Sequence, residues 1–207
     1  MIRLIFGPFT VKITFLFVVT VAFCLISDET GIAVLALLAC FLHECGHLAA
    51  FLITGYTPRA LIFELTGIRL VPPGDCPRFF CALFIHSAGI LTNSIMAAGL
   101  YWLGYETAAA VHFLLGCFSA LPLATLDGGQ IVLLILTRLF PMRGALAAWG
   151  IDFACTGVLC AGCIWMFLID RGNLTLLIFS GGLISALIGG VLGGRKKPPG
   201  KTSRAAK

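Results

Sequence analysis

Residues 41–48 read Phe-Leu-His-Glu-Cys-Gly-His-Leu, so His43, Glu44 and His47 form an HExxH pattern. Its spacing carries chemistry if the segment is a helix. Positions i and i+4 differ by about 40° in azimuth and about 6 Å in height, so both imidazoles can reach one metal ion. Glu44 lies about 100° around the axis from His43. It stands near the metal but off the ligand direction, where a carboxylate can act on water instead. The competing reading is a hydrogen-bonded polar cluster inside a helix bundle. Three ionisable groups within five apolar-flanked residues weigh against it, because burying such groups costs several kcal/mol and marks a functional site.

A catalytic zinc ion takes three protein ligands and keeps a fourth position open. Asp127, in Leu126-Asp127-Gly128-Gly129-Gln130, is the leading third ligand. It lies in an apolar region beside a break, and the two glycines are expected to free the backbone to aim its carboxylate. Capping of a helix that restarts at Gly128 is compatible with that role. His86, His112 and Asp152 are further ionisable groups in apolar stretches. A lone membrane histidine is more often a hydrogen-bonding packing residue. His86 and Asn93 are seven apart and share a helix face.

The elements that must position these residues follow from composition. Of the 207 residues, 59% are hydrophobic and 11% charged, against about 25% charged in a soluble domain. The chain has too little polar surface for water and belongs in a bilayer. At about 20 apolar residues per span, six spans are expected: 11–27, 31–54, 79–104, 107–140, 148–169 and 173–192. The fourth is too long for one straight helix and should break between Pro122 and Asp127. The fold class is thus an all-α polytopic membrane protein of about six helices. Residues 1–26 resemble a signal peptide, but Ser27-Asp28-Glu29-Thr30 gives no small-x-small cleavage signature, so an uncleaved first span is expected.

Residues 60–70, bounded by Pro58 and by Pro72-Pro73, are rich in strand formers and too short to span. A strand or hairpin at the membrane edge is expected there, with an interfacial loop as the alternative. Nine cysteines lie mostly inside apolar runs. Cys155, Cys160 and Cys163 lack a paired polar cluster and read as small apolar membrane residues.

Charge placement sets orientation and excludes nucleic acid. Six of fourteen basic residues fall in 195–207, a stretch without apolar periodicity. Residues 1–194 form the membrane-embedded domain, and 195–207 a disordered basic tail that can also meet anionic headgroups. With both termini cytoplasmic, thirteen of fourteen basic residues lie inside, Arg171 excepted. His47 then precedes Arg59 by 12 residues and Asp127 precedes Arg138 by 11. Their spans run in the same direction, so the two sites reach similar depth.

His43-Glu44-Cys45-Gly46-His47 joined to Leu126-Asp127-Gly128 on a separate span resembles the site-2 protease family. The small size and the motif near position 43 are most similar to the stage IV sporulation protein FB branch. The resemblance covers residues 10–195. It implies His43, His47 and Asp127 as ligands of one zinc ion and Glu44 as catalytic base. Ala88-Gly89-Ile90-Leu91-Thr92-Asn93 resembles the family's AGPxxN segment, with Ile90 in place of proline, and implies that Asn93 donates to the oxyanion. Ser119 to Gly128 resembles NxxPxPxxDG, with Ser119 for asparagine and Ala124 for the second proline, which changes how substrate is held. The element at 60–70 matches the family's strand, to which substrate adds in extended form. No PDZ insertion or nucleotide-binding regulatory domain is expected.

The implied activity is zinc-dependent cleavage of a membrane-tethered protein in a bacterial inner or cell membrane. The branch suggests a sporulation pro-sigma factor, and an anti-sigma factor fits the residues equally. Membrane regulatory proteins are further expected partners. The rival functions are an inactive pseudoprotease that binds membrane segments, whose mark would be loss of Glu44, and a zinc transporter, which would show a second ligand set.

Overall fold

The computed structural model describes residues 2–6, 9–64, 67–71 and 78–169, together with Gly181 and Ile184. The expected sixth span, 173–192, and the tail, 195–207, lie outside the described residues.

The chain opens with a β-hairpin, β1 (Ile2–Phe6) and β2 (Phe9–Ile13), followed by helix α1 (Phe15–Ser27). Helix α2 (Ile32–Ile53) leads to a second hairpin, β3 (Ala60–Glu64) and β4 (Gly67–Val71). Among the described residues four helices follow: α3 (Phe79–Trp102), α4 (Glu106–Ser119), α5 (Asp127–Leu139) and α6 (Gly144–Ile169). Of these, α2, α3 and α6 are long and apolar enough to cross a membrane. At about 1.5 Å per residue, α1, α4 and α5 each fall well short of a bilayer core of roughly 30 Å.

The first expected span therefore needs correction. Residues 11–13 belong to β2, and α1 has 13 residues. Thr14 makes the switch from strand to helix. Its hydroxyl accepts from the Phe17 amide at 3.3 Å as an N-cap. It also donates to the Phe63 carbonyl at 3.0 Å, tying the start of α1 to β3.

The expected strand element at 60–70 is half of a larger sheet. The order is β1-β2-β3-β4, with β2 and β3 parallel and both hairpins antiparallel. Arg3 faces Lys12 across the first hairpin, and Lys12 pairs in register with Ile62 of β3. The chain is mostly helical, but the single strand element foreseen is one of two hairpins. The sheet is anchored through Leu70 and Tyr56, which pack on Ala50, Phe51, Ile85 and Ala88 between α2 and α3.

The fourth span breaks where Pro122 and Asp127 suggested. Helix α4 ends at Ser119 and α5 begins at Asp127. The intervening segment folds tightly over the start of α5. A Cβ on Gly128 would collide with the carbonyls of Ala120 and Leu121, and one on Gly129 with that of Leu123. Neither glycine has a positive φ. The pair is therefore needed for close approach of two backbones, and not for the backbone freedom expected from sequence.

Candidate metal centre

The polar residues of α2 line up on its buried face. His43 and His47 are buried, one turn apart, with rings in edge-to-face contact at 4.7 Å. Glycine makes the room they occupy. A Cβ on Gly89 of α3 would lie 2.5 Å from the Nε2 atoms of both histidines. One turn along, Gly46 lets α2 approach the Ala88 carbonyl and Thr92 of α3 in the same way.

Asp127 enters from α5, at that helix's first residue, where the positive end of the helix dipole favours a carboxylate. Its Oδ2 lies 2.9 Å from His43 Nε2 and 3.1 Å from His47 Nε2, and the two nitrogens are 3.1 Å apart. Two residues of α2 and one 80 positions away thus present three donor atoms to one point. The other carboxylate oxygen, Oδ1, lies 3.4 Å from Nδ1 of His86 on α3. Arg138, in the last turn of α5, sits over the Phe79 ring at 5.2 Å and pins the far end of α5 to the start of α3.

The tautomer of His47 decides what these contacts mean. Its Nδ1 lies 2.7 Å from the carbonyl oxygen of Ile85. A carbonyl only accepts, so Nδ1 carries the proton, and Nε2 of the neutral ring holds a lone pair. That lone pair faces an anionic oxygen at 3.1 Å. Two lone pairs at that distance repel unless a proton or a metal ion lies between them. Donors about 2.0–2.1 Å from a tetrahedral ion are roughly 3.4 Å apart, close to the observed triangle. Two imidazole nitrogens and a carboxylate oxygen therefore fit one metal ion. Orientation of a ligating histidine by a backbone carbonyl is also typical of such centres.

Glu44 stands beside the triangle. One of its oxygens lies within 4.8 Å of a ligand atom on each histidine. It is partly buried and makes no hydrogen bond to a described residue, so its carboxylate can serve water.

Asn93 lies at the back of the centre. It is fully buried, with its amide nitrogen 3.0 Å from His43 Nδ1 and its amide oxygen 3.0 Å from Nδ1 of buried His112. Asp152, buried on α6, accepts from the Ala124 amide at 2.9 Å, and Gln130 Nε2 donates to the Ala124 carbonyl at 2.6 Å. Both bonds hold the 120–126 segment that delivers Asp127.

All five residues singled out for chemistry thus meet in one place. The roles of Gly89, the Ile85 carbonyl and Asp152 were not read from sequence. Gly89 faces His43 and His47 across two helices, a proximity that only the fold reveals. Asp152 was visible only as an ionisable group in a span. A backbone carbonyl has no sequence signature.

No family model and no curated protein sequence matches the chain. Among solved structures, the site-2 protease from Methanocaldococcus jannaschii is similar, with a TM-score of 0.63 at 18% sequence identity. The alignment covers 98% of this chain and 99% of that one. The likeness is one of fold across the whole length.

Proposed function

We propose that the protein is an intramembrane zinc metalloprotease that hydrolyses a peptide bond in a membrane-associated protein. The observation that carries this reading is the convergence of His43, His47 and Asp127 within 3.1 Å, with Glu44 alongside, both histidines standing on a helix long and apolar enough to cross a membrane. The shared fold with an archaeal site-2 protease supports it from a separate direction.

In this reading His43 and His47 offer their Nε2 atoms, and Asp127 its Oδ2, to one zinc ion. Zinc supplies Lewis acidity for the scissile carbonyl and lowers the pKa of water toward about 7 when bound. Glu44 takes the proton of the attacking water and passes it to the leaving amine. His47 is held by Ile85 with its lone pair toward the centre, and His86 steadies the second oxygen of Asp127. Asn93, expected from the family resemblance to donate to the oxyanion, has its side-chain amide 3.0 Å from His43 Nδ1.

The substrate must be extended where it is cut, because a helical peptide bond is shielded and hydrogen-bonded. β4 is an edge of the described sheet and packs on α2 through Leu70, beside the helix that carries the histidines. A substrate strand pairing there would present its backbone near the centre. A multi-pass protein with both termini in the cytoplasm is the topology that the basic residues favour. Sequence resemblance makes a membrane-tethered sporulation pro-sigma factor the first substrate to try.

The test is co-expression with tethered candidate substrates, comparing wild type with Glu44→Gln. The expected result is cleavage by wild type alone. Equal cleavage by both proteins would remove Glu44 as the base and with it the mechanism.

A further inference from the structure

The His43–Asn93–His112 chain has a consequence for how the centre is held. If His43 offers Nε2 to a metal, that atom has no proton, so the neutral ring carries its proton on Nδ1. The Nδ1 proton needs an acceptor. The polar side-chain atoms that meet it belong to Asn93, which is fully buried, and a Cβ placed on Gly116 of α4 would lie 3.4 Å from the Asn93 Cβ, so α4 packs closely over it. Asn93 therefore cannot turn away to solvent. Its amide oxygen and nitrogen are nearly the same size, and rotating the amide exchanges them in place.

We propose that Asn93 and His112 are positioning residues that set the tautomer of His43. In the metal-holding arrangement the Asn93 oxygen accepts from His43 Nδ1–H, and its NH2 donates to the Nδ1 lone pair of His112. Without metal the chain reverses. Asn93 NH2 donates to His43 Nδ1, His43 Nε2–H donates to Asp127, and His112 Nδ1–H donates to the Asn93 oxygen. The observed 3.0 Å contacts serve both senses. The two ligating histidines are thus oriented by different means. A fixed backbone carbonyl holds His47, and a reversible amide holds His43. His112, buried on α4, links a helix that supplies no ligand to the metal centre.

This inference rests on the metal-centre reading, and one experiment separates the two. Zinc affinity is measured by chelator competition on purified wild type, Asn93→Leu, Asn93→Asp and His112→Phe. Leucine fills the volume but cannot accept, and its expected affinity is about 10–100-fold lower. Aspartate still accepts from Nδ1–H and should keep near wild-type affinity. His112→Phe should lower affinity by a smaller factor, because Asn93 is then free to rotate. If Asn93 acted only on the oxyanion, cleavage would fall in Asn93→Leu while zinc affinity stayed at the wild-type value, and the inference would be overturned. Should the leucine variant fail to fold, wild-type affinity in His112→Phe overturns it equally. Absence of zinc binding by wild type would instead refute the metal centre itself.

Discussion

At the scale of single residues, the centre assigns separate work to neighbouring groups. His43 and His47 point at one place because they are one helical turn apart, and Glu44 does not because it is one residue on. Glu44→Gln should therefore keep the shape and the metal while losing the base. A drop of about 10²–10⁴-fold in the initial rate of substrate cleavage is expected, the usual range for a lost general base. Unchanged rates would mean that another group moves the proton. These residues were legible because HExxH is a geometric statement, and because a carboxylate in an apolar stretch must have a reason to be there. Their orienting partners were less legible. His112 and His86 could be flagged only as lone histidines, and the Ile85 carbonyl is silent in sequence.

At the scale of elements, the helices are placed by what they lack. Gly89 carries no side chain where two imidazoles need the space. Alanine would favour the helix by about 1 kcal/mol in propensity, yet its Cβ would overlap both rings. Gly89→Ala should fold and lose zinc and cleavage together, read by metal analysis beside a circular dichroism spectrum. The 120–126 segment is held otherwise. Ala124 stands where the resembled family pattern has proline, and its N–H donates to buried Asp152. A proline has no such donor. Ala124→Pro should therefore strand the Asp152 carboxylate and cost about 1–3 kcal/mol, seen as a lowered Tm in detergent, whereas Ala124→Ser should stay near wild type. A proline variant as stable as the parent would show that the bond contributes nothing. The break itself was readable from Pro122 and Asp127-Gly128-Gly129, and the strand run at 60–70 from its β-branched and aromatic residues. The first hairpin was not readable. Val11 to Ile26 is apolar but for Lys12 and two threonines, and hydropathy alone does not mark Thr14 as the point where strand becomes helix.

At the scale of the whole molecule, large apolar side chains remain outside. Phe15, Ile53, Phe80, Trp102 and Met142 are each more than 70% exposed. Exposed apolar surface on this scale needs lipid to cover it. The protein should stay in the membrane pellet after alkaline carbonate extraction, and reporters fused to either terminus should fall on the same side. Release by carbonate would contradict the membrane reading, and reporters on opposite sides would contradict an even number of spans. Within that frame the central claim is that α2 and α5 meet to hold one metal ion. The most direct measurement is the zinc content per chain of purified wild type, Glu44→Gln and Asp127→Ala. The account predicts one zinc in the first two and little or none in the third. Full zinc in Asp127→Ala, or none in wild type, would contradict it.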